Sequence, residues 1–153
     1  MFFLAVLAGA ILVVDQVSKF LVMQYLPLHS VREIIPDFFN LVHVRNTGAA
    51  FSIFAGANSS LRVGLFIGLT LFVVALILYA YGKVSKTDRW TRTAYTVITG
   101  GALGNLVDRL RFGEVVDFLD FYVGAYHWPA FNVADSAITL GAVMLLISLL
   151  RGR

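Results

Sequence analysis

The chain has no cysteine, which excludes disulfides, thiolate metal sites, iron–sulfur clusters and a cysteine nucleophile. Histidine is scarce: His29, His43 and His127 are the only imidazoles. No two of them stand at the four-residue spacing of a helical HExxH zinc site. Charge is scarce as well, at 14% of the 153 residues, against roughly 25% in an ordinary soluble domain. A phosphate-binding loop is missing, because GGALGN at 100–105 lacks the following Lys-Ser/Thr and begins inside an apolar run. These gaps leave no metal and no cofactor to be expected.

Hydrocarbon is abundant. Hydrophobic residues make up 59% of the chain and the mean hydropathy is +0.82, which places it among integral membrane proteins of one domain, spanning 1–153. Four segments can cross a bilayer, at about 2–26, 61–81, 91–109 and 133–150. The first could be read as a cleavable signal peptide. It lacks an early positive charge, however, and Asp15 and Lys19 interrupt its apolar stretch, so a retained helix is expected. The third is less apolar and rich in glycine and alanine, as suits a helix facing protein rather than lipid.

The net charge of +3 follows from topology and calls for no nucleic-acid partner. Lys83, Lys86, Arg89 and Arg92 lie in the middle loop against the single acid Asp88, and Arg151 and Arg153 follow the last span. The other two loops sum to zero and −1. By the positive-inside tendency both termini and the middle loop face the cytoplasm. An outer β-rich loop is then expected at about 28–60, where Phe39–Val44 alternates imperfectly, Asn46-Thr47-Gly48 supplies a turn and Gly48-Ala49-Ala50 carries little bulk. The second outer segment covers about 110–132, and its aromatic stretch VDFLDFYVGAYHW suits the headgroup region.

Five aspartates, Asp15, Asp108, Asp117, Asp120 and Asp135, sit in or beside apolar segments, where an ionisable group is a functional candidate. Asp15 and Lys19 are one helical turn apart and can form a structural ion pair or shape an adjacent polar site. Gly100, Gly101 and Gly104 suit close helix packing, which brings Asn105, Asp108 and Arg109 near other helices. Asn132 and Asp135 fit an N-cap and third helical position, yet capping leaves Asp117 unexplained. Two neighbouring carboxylates cannot comfortably both ionise, so a pair can share a proton, one member activating water while the other protonates a peptide bond. The residues alone allow Asp117 with Asp135 or Asp108 with Asp135. A Ser–Lys pair would need Lys19 to reach Ser52, Ser59, Ser60 or Ser136 across the membrane. A carrier relaying protons through Asp15, Asp117 and Asp135 is the competing class, but the segments show no inverted repeat.

DQVSK at 15–19, VRNTGAAFS at 44–52, GGALGNLVDR at 100–109, VVDF at 115–118 and FNVADSAI at 131–138 together resemble the bacterial lipoprotein signal peptidases, or signal peptidase II. The likeness covers essentially the whole chain. It implies an aspartic endopeptidase of the inner membrane, cutting diacylglyceryl-modified prolipoproteins before the lipid-bearing cysteine. It maps the catalytic pair onto Asp117 and Asp135. Asp15, Asn46, Asn105, Arg109 and Asn132 become supporting or substrate-binding residues, while Asp108, Lys19, Gly101 and Gly104 are structural. The implied fold is an all-α membrane bundle of four spans with a small outer β-cradle and a short outer helix within 110–132. Membrane lipids and globomycin-type inhibitors are the other implied partners, and a monomer suffices because every motif is internal to one bundle.

Overall fold

The structure, a computed structural model, describes residues 2–48 and 59–151. Residues 49–58, including Ala49, Ala50 and Ser52 of the low-bulk outer loop, lie outside the described residues. The described residues form four helices and four strands in the order α1 (Phe2–Tyr25), β1 (Val31–Ile35), β2 (Phe39–Asn46), α2 (Ser59–Lys83), α3 (Arg89–Phe112), β3 (Val115–Val123), β4 (Tyr126–His127) and α4 (Val133–Leu150).

α1, α2 and α4 are long and apolar enough to cross a membrane; α3 is not. The reason is visible in its surroundings. α3 packs against the other three helices and buries Thr91, Thr96, Thr99, Asn105 and Asp108 among small residues, so it meets protein where its neighbours present hydrocarbon outward. α2 exposes Leu69, Leu71, Phe72 and Leu76. The helices of the α3–α4 pair run antiparallel: Thr91 and Ser148 share a 2.6 Å hydroxyl contact at one end, and Asn105 reaches Asp135 at the other. Gly101 and Gly104 permit this approach. A Cβ on Gly104 would lie 2.5 Å from Asp15 Oδ2, and one on Gly101 would collide with the carbonyl oxygen of Ala134.

Local chemistry sets the ends. Pro27 follows α1, and a proline cannot extend a helical hydrogen-bond ladder. Asp88 caps α3 by accepting from Thr91 N at 3.0 Å. Gly113 closes that helix at φ 75°, its N–H returning to Arg109 O, a left-handed cap that glycine adopts without a Cβ penalty.

The strands form an open antiparallel sheet in the order β1-β2-β3-β4. β1 and β2 are joined around Asp37 at φ 59°, with Ile35 opposite Phe39. Between Leu41 and Val44 the register slips by one residue against β3, leaving Leu41 opposite Leu119 and Val44 opposite Asp117, a bulge that bends the strand. The implied short helix within 110–132 is not there. α3 runs on to Phe112, and the chain then enters β3 and β4. Val115, Val116, Asp117 and Phe118 are all buried, so both faces of β3 are covered and no alternation marks the strand in the sequence.

Candidate active site

β3 and the first turn of α4 bring Asp117 and Asp135 to one residue, Asn132. As N-cap of α4, Asn132 accepts from Asp135 N at 2.9 Å through its side-chain oxygen, while Asp135 Oδ2 accepts from Asn132 N at 3.3 Å. The capping box therefore exists. It leaves the Asn132 side-chain amide free to donate to Asp117 Oδ1 at 2.7 Å, with Val116 O also within 3.2 Å. The cap of α4 and the contact with Asp117 are thus made by one side chain.

Each carboxylate has a second amide donor. Asn46 donates to Asp117 Oδ2 at 2.9 Å, and its own side-chain oxygen accepts from Gly48 N at 2.8 Å. That turn fixes which end of the amide points at the aspartate. Asn105 donates to Asp135 Oδ1 at 2.7 Å. Its oxygen accepts from Lys19 Nζ at 3.1 Å. Burial pushes the Asp117 carboxyl up to about 6; the negative charge of Asp135 adds to the rise, and the hydrogen bonds from Asn46 and Asn132 oppose it.

Beneath the pair lies a buried charge cluster. The Lys19 ammonium has three donors, and they meet Asp15 Oδ2 at 2.9 Å, Asp108 Oδ2 at 2.9 Å and Asn105 Oδ1 at 3.1 Å. Asp15 Oδ1 accepts from Ala134 N at 2.8 Å, so α1 is tied to the start of α4. Asp108 accepts from Gln16 at 2.9 Å and from Val116 N at 3.1 Å, which ties α3 to β3 one residue before Asp117. Asp108 is thereby occupied on both oxygens. Lys19 has no donor left for a serine, and Ser136 Oγ donates to Asn132 O at 2.9 Å.

Arg109 points elsewhere. Its guanidinium lies 5.2 Å from the Phe66 ring centroid and borders a cavity of about 320 Å³ between α2, α3 and α4. Asp135 and Asn105 line the polar side of that cavity; Phe66, Val73 and Ile138 line the apolar side. Asp135 is half-buried and faces this space, whereas Asp117 is 2% exposed. Asn132 thus joins a buried carboxylate, Asp117, to a half-buried one, Asp135, that opens on a largely apolar cleft.

Asp120 departs from the pair. It sits on the other face of β3, accepting from Asn40 at 2.9 Å and lying 3.0 Å from His127 Nδ1. The Asn40–Asp120–His127 chain and the second partner of Lys19 escaped the sequence reading, since both depend on pairings across tens of residues that no local spacing encodes.

The family model for signal peptidase (SPase) II matches residues 7–151. This chain belongs to the signal peptidase II family. It is 48% identical over 143 residues to the lipoprotein signal peptidase of Desulforapulum autotrophicum, covering 94% of this chain and 88% of that protein. It is 49% identical over 144 residues to that of Aeromonas hydrophila, covering 94% and 84%. A solved bacterial membrane enzyme, determined by the in meso method at 1.9 Å, superposes with a TM-score of 0.89 at 31% identity, covering 100% of this chain and 96% of that one. A second, at 2.3 Å, gives 0.86 at 32% identity, covering 99% and 89%. The chain is therefore a membrane hydrolase of the aspartic peptidase type.

Proposed function

We propose that Asp117 and Asp135 are the carboxylates with which this signal peptidase II removes signal peptides from diacylglyceryl-modified prolipoproteins, cutting before the lipidated cysteine. The observation that carries the assignment is their common attachment to Asn132, at 2.7 Å for Asp117 and through the capping box for Asp135. The charge of Asp135 raises the Asp117 carboxyl, which favours one proton on the pair. The ionised member takes a proton from water as it attacks the scissile carbonyl. The protonated member hydrogen-bonds the carbonyl oxygen, and the leaving amine is then protonated from the pair.

Asn46, Asn105 and Asn132 orient the carboxylates by fixed amide donors. Arg109, at the rim of the cleft, is placed to hold a substrate backbone carbonyl. Asp15, Lys19 and Asp108 position Asn105 and the first turn of α4, and Gly101 and Gly104 allow the helices to approach closely enough for that.

In this reading α3 also crosses the bilayer, shielded by the other helices, so four spans place both termini and the basic loop in the cytoplasm. The pair and the sheet lie at the opposite, outer end. Lipid chains of the substrate lie in the membrane against the cleft bounded by α2, α3 and α4. A globomycin-type inhibitor occupies the same place, and one chain supplies every residue needed, so the enzyme works as a monomer. Replacing Asp117 or Asp135 by Asn tests the assignment: either variant should accumulate folded and cleave no lipidated precursor. Full activity in either would overturn it.

A further inference from the structure

At the end of the bundle remote from the carboxylate pair, Phe3, Tyr81, Lys86, Arg89, Arg92 and Thr93 enclose a cavity of about 390 Å³. It collects three cations from the loop and first turn between α2 and α3, and among the described residues no acid lines it. The one acid in that loop, Asp88, caps α3 by accepting from Thr91 N. Arg92 lies 4.0 Å over the Tyr81 ring, and one arm of its guanidinium donates to Val84 O at 3.3 Å. Tyr81 is 2% exposed, and its buried hydroxyl has no hydrogen-bond partner. An orphaned buried hydroxyl carries a free-energy cost, relieved when an acceptor or a bridging water reaches it. Three clustered cations, the Tyr81 hydroxyl and the apolar Phe3 and Tyr81 rings together describe a receptor for an anionic group that carries hydrocarbon.

We infer that this cavity binds the phosphodiester headgroup of an anionic phospholipid, such as phosphatidylglycerol, from the leaflet at the basic end of the bundle. The placement fits the ligand. α1 begins and α2 ends here with outward-facing apolar side chains, so the headgroup phosphate meets Lys86, Arg89 and Arg92 while its acyl chains remain along the helices. Basic pockets between helices at a membrane surface take such headgroups, and each nearby cation adds to the attraction. The site is independent of Asp117 and Asp135.

Native mass spectrometry of the purified full chain, exchanged into mixed micelles holding equal phosphatidylglycerol and phosphatidylcholine, tests the inference. The wild type should retain one phosphatidylglycerol with at least tenfold preference. Lys86→Gln/Arg89→Gln should lose most of that preference while unfolding at an unchanged temperature. Tyr81→Phe should weaken retention a few-fold. Lys83→Gln removes a nearby cation at the end of α2 that lies over Tyr79 instead, and it should retain the lipid as the wild type does. Equal retention of the two lipids, or an equal loss in Lys83→Gln, would reduce the effect to general surface charge and overturn the site. Displacement of the lipid by millimolar inorganic phosphate would overturn it in favour of a free-anion site.

Discussion

Asn132 donates its side-chain amide to Asp117 at 2.7 Å, although its position in the chain is that of a helix cap. The same side chain accepts from Asp135 N at 2.9 Å, so one asparagine both caps α4 and holds Asp117.

Two variants separate those duties. Asn132→Ala removes the cap, a loss of about 0.5–2 kcal/mol, together with the donor to Asp117. Asn132→Asp keeps a capping oxygen but replaces the donor with a third carboxylate. If Asn132 positions the pair, both should lower kcat by roughly a hundredfold or more, the order seen when a preorganised donor is lost, with KM little changed. Thermal unfolding should be lowered in both, in Asn132→Ala through the lost cap and in Asn132→Asp through a third buried carboxylate facing Asp117. An Asn132→Asp enzyme with near wild-type kcat would show that the contact with Asp117 has no part in catalysis.

Asp117 offers a direct electrostatic test. Its carboxyl is raised to about 6, first by burial and further by Asp135. Asp135→Asn removes a neighbouring negative charge and should lower the Asp117 value; Asn46→Ala removes a donor to its charged form and should raise it. Infrared carboxyl bands across a pH series read both directions. The sign for stability follows. A carboxylate whose folded value lies above the unfolded 3.8 binds its proton more tightly in the folded state, so its favourable contribution is present below about 4 and is lost as pH rises through about 6. Relative to Asp117→Asn, the wild type should therefore lose stability over that window, by up to about 3 kcal/mol.

The helices and the polar residues of the site were legible in sequence because hydropathy and buried charge are local signals. α4 begins at Val133 where FNVAD places it, and β2 falls on the alternating stretch before Asn46. The surroundings of Asp108 and Asp117 were not legible from the residues. Lys19 and Gln16 occupy Asp108 from 89 and 92 positions away, and a bulge sets Val44 opposite Asp117. β3 was hidden for another reason. A strand covered on both faces presents VVDF without alternation, and the outer helix implied by resemblance gives way there to a strand paired with β2.

The buried cluster predicts an asymmetric response to charge removal. Lys19→Met leaves Asp15 and Asp108 without their cation, both at most 1% exposed, and breaking such a buried pair costs about 3–5 kcal/mol. Adding Asp15→Asn and Asp108→Asn should restore much of that loss, because each amide keeps an oxygen to accept from Ala134 N or Val116 N. Detergent unfolding midpoints should rank wild type and the triple variant well above Lys19→Met. A single Lys19→Met variant as stable as the wild type would remove the cluster from the account of how the site is held.

Inhibition tests the chemistry itself. Water activated between two carboxylates forms no covalent intermediate, the Lys19 donors are all engaged, and Ser136 is turned to the Asn132 carbonyl. A fluorophosphonate and EDTA should therefore leave precursor cleavage intact. A globomycin-type peptide with a hydroxyl between Asp117 and Asp135 should abolish it. That hydroxyl donates to one carboxylate and accepts from the other, so binding needs one proton on the pair. Affinity should accordingly fall as pH rises above about 6, where Asp117 gives up its proton, and Asp117→Asn should weaken binding at every pH. Activity lost to EDTA and restored by a divalent metal would refute the mechanism even in a chain of this family.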